Sequence, residues 1–358
     1  MSHLSASFSP HIPYPMHPRL CYISRCYRDK SSAGNKAKTD YETILVGMGA
    51  INLGLKQRIL PGKISSFILN LAGVGKYLFS LRRGDVVVLQ YPVKKYFSVL
   101  CLSARLRGAK TVAFVHDLGS CRRRKISVST EMKRLNRASY VIAANEVMEQ
   151  WLVSHGLTAM HSSLGFHDYL CEASPQGRSH NAPWQLTYAG SLNMRKNSFI
   201  LELNTIHTPV CLYGWLGAYN GSPSSTSHIS ELGYASPEQF ISSAQGDFGL
   251  VWDGPSLAAC TGDWGEYLAL NTPHKCSFYL RAHLPLIVWS GAAMAAEVKR
   301  RGIGICVDSL KQLPDILSGI SAKQYATMQA NVTKIASEIA SGQHMRHAVN
   351  QALHALNA

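Results

Sequence analysis

The chain has no apolar run long enough to cross a bilayer. A spanning helix needs about 18 or more apolar residues, and the nearest stretch, Ile64 to Leu81, is interrupted by Asn70, Gly73, Gly75 and Lys76. It also lacks the apolar core of a signal peptide. Residues 1–19 are rich in Ser, Pro and His and read as a disordered leader, so the expected compartment is the cytoplasm. The nine cysteines are odd in number, scattered and never spaced C-x-x-C, which leaves neither a zinc site nor a disulfide framework and predicts free thiols. There is no G-x-G-x-x-G fingerprint, no Walker loop and no internal repeat. Acidic charge is scarce on one side only: residues 1–170 hold 24 Lys+Arg against 9 Asp+Glu, net +15, while residues 171–358 hold 12 against 12, net 0. So uneven a balance points to an anionic partner for the first half: nucleic acid, a membrane leaflet or a pyrophosphate-linked substrate. The clusters Arg82-Arg83, Lys94-Lys95 and Arg122 to Lys125 are its densest parts.

What is present describes a soluble α/β protein. At 358 residues, 46% hydrophobic and 16% charged, the chain is long enough for two full cores. Short, nearly continuous apolar strands alternate with helical segments: Asp85 to Gln90, Lys110 to His116, Ser139 to Ala143, Gln185 to Ala189, Val210 to Tyr213, Phe248 to Trp252, Pro285 to Val288 and Gly304 to Val307. That rhythm predicts parallel sheets covered on both faces. Glu172 to Pro183 reads as a linker. The expected organisation is a first domain over 20–172, a linker over 173–184, a second domain over 185–340 and a terminal helix over 341–358 that returns toward the first domain. Near the start, a strand over Leu20 to Arg28 leads into a glycine-containing loop with Gly34 and Asn35. Thr39 and Glu42 then match a capping box for the next helix.

The most informative stretch runs from Phe248 to Val288. A strand ending at Asp253-Gly254 is followed by N-T-P-H-K, in which Asn271 or Thr272 caps a helix, Pro273 is its early residue, and His274 and Lys275 lie in its first turn. A helix N-terminus beside a lysine, outside the carboxyl end of a strand, suits a phosphate; otherwise Lys275 is a solvated helix residue. Gly190 to Asn197, with Arg195 and Lys196, repeats the arrangement of strand, glycine loop and cations. In the first half, His116 and Asp117 follow a strand directly, as a general base facing the cleft or as a turn residue.

Several of these motifs carry a resemblance. A-G-N-K-A-K-T-D at 33–40, Q-Y-P at 90–92, V-H-D-L at 115–118, Y-A-G-S-L at 188–192, G-L-V-W-D-G at 249–254, G-E-Y-L with N-x-P-H-K at 265–275 and G-I-G-I-x-V-D-S-L at 302–310 resemble the bacterial glucosyltransferase-3-like family. That family includes glucosyltransferases acting on serine-rich-repeat adhesins and β-1,6-galactofuranosyltransferases of O-antigen synthesis. The resemblance implies a GT-B fold, two Rossmann-like β/α/β domains facing a central cleft, with a UDP-sugar held mainly by the second domain. It further implies no metal, no cofactor beyond that co-substrate, and a homo-oligomer. By the same resemblance Lys275 contacts the diphosphate, Tyr234 lies by the nucleotide, Arg195 or Lys196 supports the phosphates, and Gly34 and Asn35 close over the donor. Asp253 and Glu266 are candidates for sugar or ribose hydroxyls. The chain departs from the family at Arg281 and His283, where small residues are usual, so helix packing or the donor pocket is expected to differ. The carboxylate-x7-carboxylate pattern of many retaining relatives is absent, which favours inversion.

The expected function is therefore transfer of a hexose, galactofuranose or glucose, from a UDP-sugar to a cell-surface glycan or a lipid-linked acceptor. The expected location is the inner face of the plasma membrane, held peripherally. A UDP-sugar epimerase or hydrolase of the same fold is the competing enzyme. A basic nucleic-acid-binding module would account for the charge but not for the motifs of the neutral half, and nucleic acid is not the expected partner.

Overall fold

The computed structural model describes residues 18–27, 33–60, 62–93, 96–122, 124–177, 180, 182–190, 192, 194–214 and 228–357. In the first half it forms β1 (Leu20–Tyr22), β2 (Cys26–Tyr27), β3 (Ile51–Asn52), β4 (Arg58–Ile59), β5 (Val86–Tyr91), β6 (Lys110–Val115), β7 (Tyr140–Ala143) and β8 (Met160–Ser163). In the second it forms β9 (Leu186–Ala189), β10 (Val210–Tyr213), β11 (Ile229–Gly233), β12 (Phe248–Val251), β13 (Leu286–Trp289) and β14 (Gly304–Val307). Six strands pair in the order β3-β1-β5-β6-β7-β8 and six in the order β11-β10-β9-β12-β13-β14, every pair parallel, with β2 and β4 as a separate two-stranded ribbon. All six residues of β5 and all four of β7, β9, β10 and β12 are buried. Helices cover both faces of each sheet, which is why these strands read as unbroken apolar runs rather than alternating ones.

In each sheet the strand order reverses beside the first strand, between β1 and β5 and between β9 and β12. A doubly wound sheet opens a crevice at that point, outside the carboxyl ends of its strands. The two halves are joined by more than the connecting segment. The terminal helix Gln343–Asn357 buries Met345, Ala348, Val349 and Ala352 against Tyr41, Ile44, Val86 and Ile142 of the first half. Its first N–H groups, from His344 and Met345, donate to the buried Asp168 carboxylate at 3.3 and 2.7 Å. Burial raises the Asp168 pKa to about 7 despite those bonds.

Local readings near the start differ from the structure. β1 stops at Tyr22, and the first helix begins at Ala33, six residues before the expected cap, so Gly34 and Asn35 lie in its first turn rather than in a loop. Thr39 and Glu42 form no capping box: the Thr39 hydroxyl donates to Lys36 O inside the helix, and Glu42 accepts from Ser24 and Tyr27 at 2.6 Å each. Tertiary contacts override the weak propensity of glycine and asparagine here. Lys36 pairs with Asp40 and donates to Leu170 O, and Gln90 donates to Lys38 O at 3.0 Å. Residues 215–227, between β10 and β11, lie outside the described residues, as do Lys94 and Lys95.

Candidate active site

A cavity of about 530 Å³ lies between the carboxyl ends of the two sheets. Its wall takes His116 and Asp117 from the end of β6, Gly190 from the end of β9, Gly214 from the end of β10 and Asp253 from just beyond β12. Gly34, Lys196, Tyr234, His274 and Lys275 also line it, so eight of the eleven residues singled out in the sequence converge on one cavity. Of the other three, Asn35 stands beside Gly34 but outside the cavity wall. Glu266 is 61% exposed and lies 3.3 Å from Arg124 on the surface instead of facing the cleft. The side chain of Arg195 lies outside the described residues.

The second-half wall is organised around Asp253. One carboxylate oxygen is 3.3 Å from the Lys275 ammonium and the other 3.1 Å from that of Lys196. Lys275 also donates to the Tyr188 hydroxyl at 3.2 Å, with its ammonium 4.4 Å from the centre of that ring, while Lys196 lies 5.2 Å from the centre of the Trp264 ring. Burial works most strongly against the Lys275 cation, but Asp253, Tyr279 and Cys276 together outweigh it and raise its pKa. For Lys196, burial prevails over Asp253, helped by the nearby Lys275 charge, and its pKa falls. The site thus gathers two cations around one carboxylate, an arrangement suited to an anion of higher charge.

Lys275 comes from a helix that spans the expected residues but is capped by neither Asn271 nor Thr272. Pro273, with ψ of 135°, is the extended residue before the helix His274–Arg281, and no side chain caps that end. Thr272 does not cap because its hydroxyl is occupied between the two halves, accepting from Asn145 at 3.0 Å and lying 3.2 Å from Gly165 O. The first N–H groups of the helix therefore stay available beside Lys275. Below, Gly249 of β12 lets the helix approach: a Cβ there would lie 2.4 Å from the Tyr279 ring. The Tyr279 hydroxyl in turn accepts from Ala189 N at 2.8 Å, which seats the helix on the sheet.

The opposite wall carries Lys36, Lys38, Asp117 and Arg122 around a row of histidines. Gln90 donates through Nε2 to Lys38 O, which turns its Oε1 to His116 Nε2 at 2.9 Å. In that network His116 carries its proton on Nε2 and leaves Nδ1 as the acceptor. Burial, with Lys38 and two further histidines nearby, holds its pKa well below the ordinary value. His116 stacks on His167 at 6.0 Å, and His167 meets His274 at 5.7 Å. Burial depresses these two to about 4 and about 3, so the row is neutral near pH 7. His274 Nε2 and Asn271 Oδ1 are buried in the cavity wall with no hydrogen-bond partner among the described residues. Asp117 is about a quarter exposed and ion-paired with Arg122, whose guanidinium lies 5.1 Å from the Trp264 ring of the other half.

Three contacts fix one wall against the other. Asn145 caps its own helix through Met148 N at 2.8 Å and donates across to Leu270 O at 3.0 Å. The Tyr267 hydroxyl accepts from Leu118 N at 2.9 Å, and Arg124 lies 3.3 Å from both Asp263 and Glu266. Arg281 lies outside the cavity wall: buried, it donates to Tyr169 O, Cys171 O and Ala173 O at 3.3, 2.8 and 3.0 Å and so holds the segment joining the halves. His283 follows with a φ of 57° at the turn into β13. Trp264 and His167 escaped the sequence reading, and Asn271, Arg122 and Tyr188 were read there only as a cap, as part of a basic cluster and as part of a motif. Tyr188 also carried a local signal, its place before the Gly190 turn.

The family described as Glucosyltransferase 3-like matches this chain twice, its N-terminal domain over residues 20–166 and its C-terminal domain over residues 186–352. The β-1,6-galactofuranosyltransferase WbbI of Escherichia coli K12 is 28% identical over 90% of this chain and 95% of its own length. Glucosyltransferase 3 of Streptococcus gordonii is 28% identical over 74% of this chain and 77% of its own. Among solved structures, the lipopolysaccharide outer core galactosyltransferase WaaB superposes with a TM-score of 0.56 at 12% identity, covering 93% of this chain and 99% of that one. The fold is thus that of the GT-B glycosyltransferases, and the chain belongs to the glucosyltransferase 3-like family.

Proposed function

We propose that the chain transfers a hexose, galactofuranose or glucose, from a UDP-sugar to a hydroxyl of a glycan acceptor. The observation that carries this reading is the convergence of Lys275, Lys196 and an uncapped helix N-terminus on one point of the cleft. A nucleoside-diphosphate leaving group develops negative charge as the glycosidic bond breaks, and preorganised cations and N–H groups stabilise that charge most where water is excluded. In this reading the diphosphate takes over the contacts that Asp253 makes with the two lysines, and no metal is required. Asn271 Oδ1 and His274 Nε2 accept from or donate to sugar hydroxyls. Asp117, at the first-half edge of the cavity, receives the acceptor proton, with the neutral His116 beside it as the other candidate base.

The relative covered over 95% of its length is named a galactofuranosyltransferase, so UDP-galactofuranose is the first donor to test, then UDP-glucose. The experiment incubates each with and without a glycan acceptor, in the presence of EDTA, and follows sugar transfer and UDP release. Transfer that needs the acceptor and ignores EDTA is the expected result. Equal UDP release without acceptor would make the protein a hydrolase, conversion of one UDP-sugar into another would make it an epimerase, and no turnover of any UDP-hexose would overturn the reading.

A further inference from the structure

The helix Lys63–Ser80 turns apolar side chains to solvent. Ile64, Ile68 and Leu71 follow one another at intervals of four and three residues, so they share a face, and they are 77, 57 and 49% exposed; Phe79, near the end, is 88% exposed. Beside it, the helix Phe97–Leu106 exposes Val99, Leu102 and Leu106, the last by 78%. The carboxyl-terminal part of the first helix packs beside the second. The Tyr77 hydroxyl of the first donates to Leu100 O of the second at 3.0 Å, and Arg107 donates to Leu81 O at 3.1 Å where both end. Residues exposed singly need no explanation, but two adjacent helices that both leave their outer faces apolar mark an interaction surface.

The charge around this surface selects its partner. Between Glu42 and Asp117 the sequence holds eleven Lys+Arg and a single acid, Asp85, which is buried and held by Arg19 at 2.7 Å. Lys76, Arg82, Arg83, Arg105 and Lys110 are exposed on or just beyond the two helices. A second copy seated face to face would bring this basic rim against itself. An anionic bilayer accepts both parts, apolar side chains into the acyl boundary and the rim onto the headgroups.

We infer that the helix pair 63–80 and 97–106 is a docking face for an anionic lipid surface. No described helix is long and apolar enough to cross a membrane, so the attachment is peripheral. Arg122 and Arg124 do not belong to it, being engaged with Asp117 and with Asp263 and Glu266 at the cleft. Arg82 and Arg83 precede β5 and Lys110 begins β6, so the rim lies at the amino ends of these strands, the edge of the sheet away from the cavity. Docking on lipid does not rest on the proposed function.

The test is co-sedimentation of the full chain with vesicles of phosphatidylcholine alone or with one-third phosphatidylglycerol, at low and high salt. The variants are Ile68→Ser with Phe79→Ser, and Arg82→Ser with Arg83→Ser. All four positions are exposed, so each variant keeps its melting temperature and its turnover on a soluble acceptor. The wild type should pellet with the anionic vesicles at low salt and be released by high salt. Losing two basic residues should weaken binding about 25-fold, at about fivefold for each. The apolar variant should bind at least tenfold more weakly. No binding to anionic vesicles at low salt, or binding that both variants leave unchanged, overturns the inference. So does a drop in oligomer mass in the apolar variant with lipid binding intact, since the face would then join copies of this chain.

Discussion

Replacing Lys275 by alanine removes the central cation of the candidate donor site, and the structure allows its effect to be sized. The ammonium lies 3.3 Å from Asp253 and 3.2 Å from the Tyr188 hydroxyl, on a side chain only 15% exposed. A hydrogen bond to a charged group in such a place contributes about 1.5–3 kcal/mol, which corresponds to a loss of roughly ten- to a hundredfold in affinity for UDP. The lower end is favoured because the cation already has Asp253 as a partner and exchanges one anion for another on binding. The fold should survive, since Lys196 stays 3.1 Å from the other oxygen of Asp253 and that carboxylate keeps a counter-charge. Calorimetric titration of UDP into the wild type, Lys275→Ala and Lys275→Met, with melting temperatures alongside, separates lost affinity from lost structure. Both variants binding UDP within about twofold of the wild type, a difference under about 0.5 kcal/mol, would refute the assignment.

Other perturbations follow from the same geometry. Asp117→Asn should lower turnover about 10²- to 10⁴-fold with UDP affinity unchanged, and near-normal turnover in both Asp117→Asn and His116→Ala would remove this edge from the chemistry. Gly249→Ala sets a Cβ against the Tyr279 ring and should cost about 1–3 kcal/mol by urea unfolding, weakening UDP binding as the helix carrying Lys275 is displaced. Glu42 titrates in the folded protein at about 7, raised chiefly by burial, against 4.5 ordinarily, so its folded form binds the extra proton. That contribution is complete below the unfolded value and is lost as pH rises through 7. Glu42→Gln should therefore gain about 3 kcal/mol on the wild type between pH 4.5 and 7.5, seen as a shallower decline of stability with pH.

Most of the architecture was legible because the strands are buried on both faces. The runs at 86–91, 110–115 and 248–251 announce themselves by apolar continuity, and Gly304–Val307 matches its expected bounds. β8 (M-H-S-S) and β11 (I-S-E-L-G) were not legible: they are polar, largely exposed edge strands whose pairing comes from their neighbours. Lys275 and Lys196 could be found because strand, turn and helix start lie close in sequence. The roles of Asn145, Tyr267 and Arg281 could not, since each acts on a partner more than a hundred residues away, and no local pattern records that Leu118 N or Tyr169 O needs an acceptor or a donor. The start of the first helix was misread for a related reason, because what holds Gly34 and Asn35 in a helical turn is anchored by Leu170 and Gln90.

The central claim is that the Lys196–Lys275 cleft binds the diphosphate of a uridine nucleotide. A melting-temperature screen against UDP, UDP-hexoses, and ADP- and GDP-sugars tests it most directly, because a ligand at a hundred times its Kd stabilises the folded state by about 2.7 kcal/mol. The account predicts a rise with UDP and at least one UDP-hexose in the wild type, and none in the Lys196→Ala, Lys275→Ala double variant. No rise with any uridine nucleotide, or an equal rise in the double variant, would contradict it.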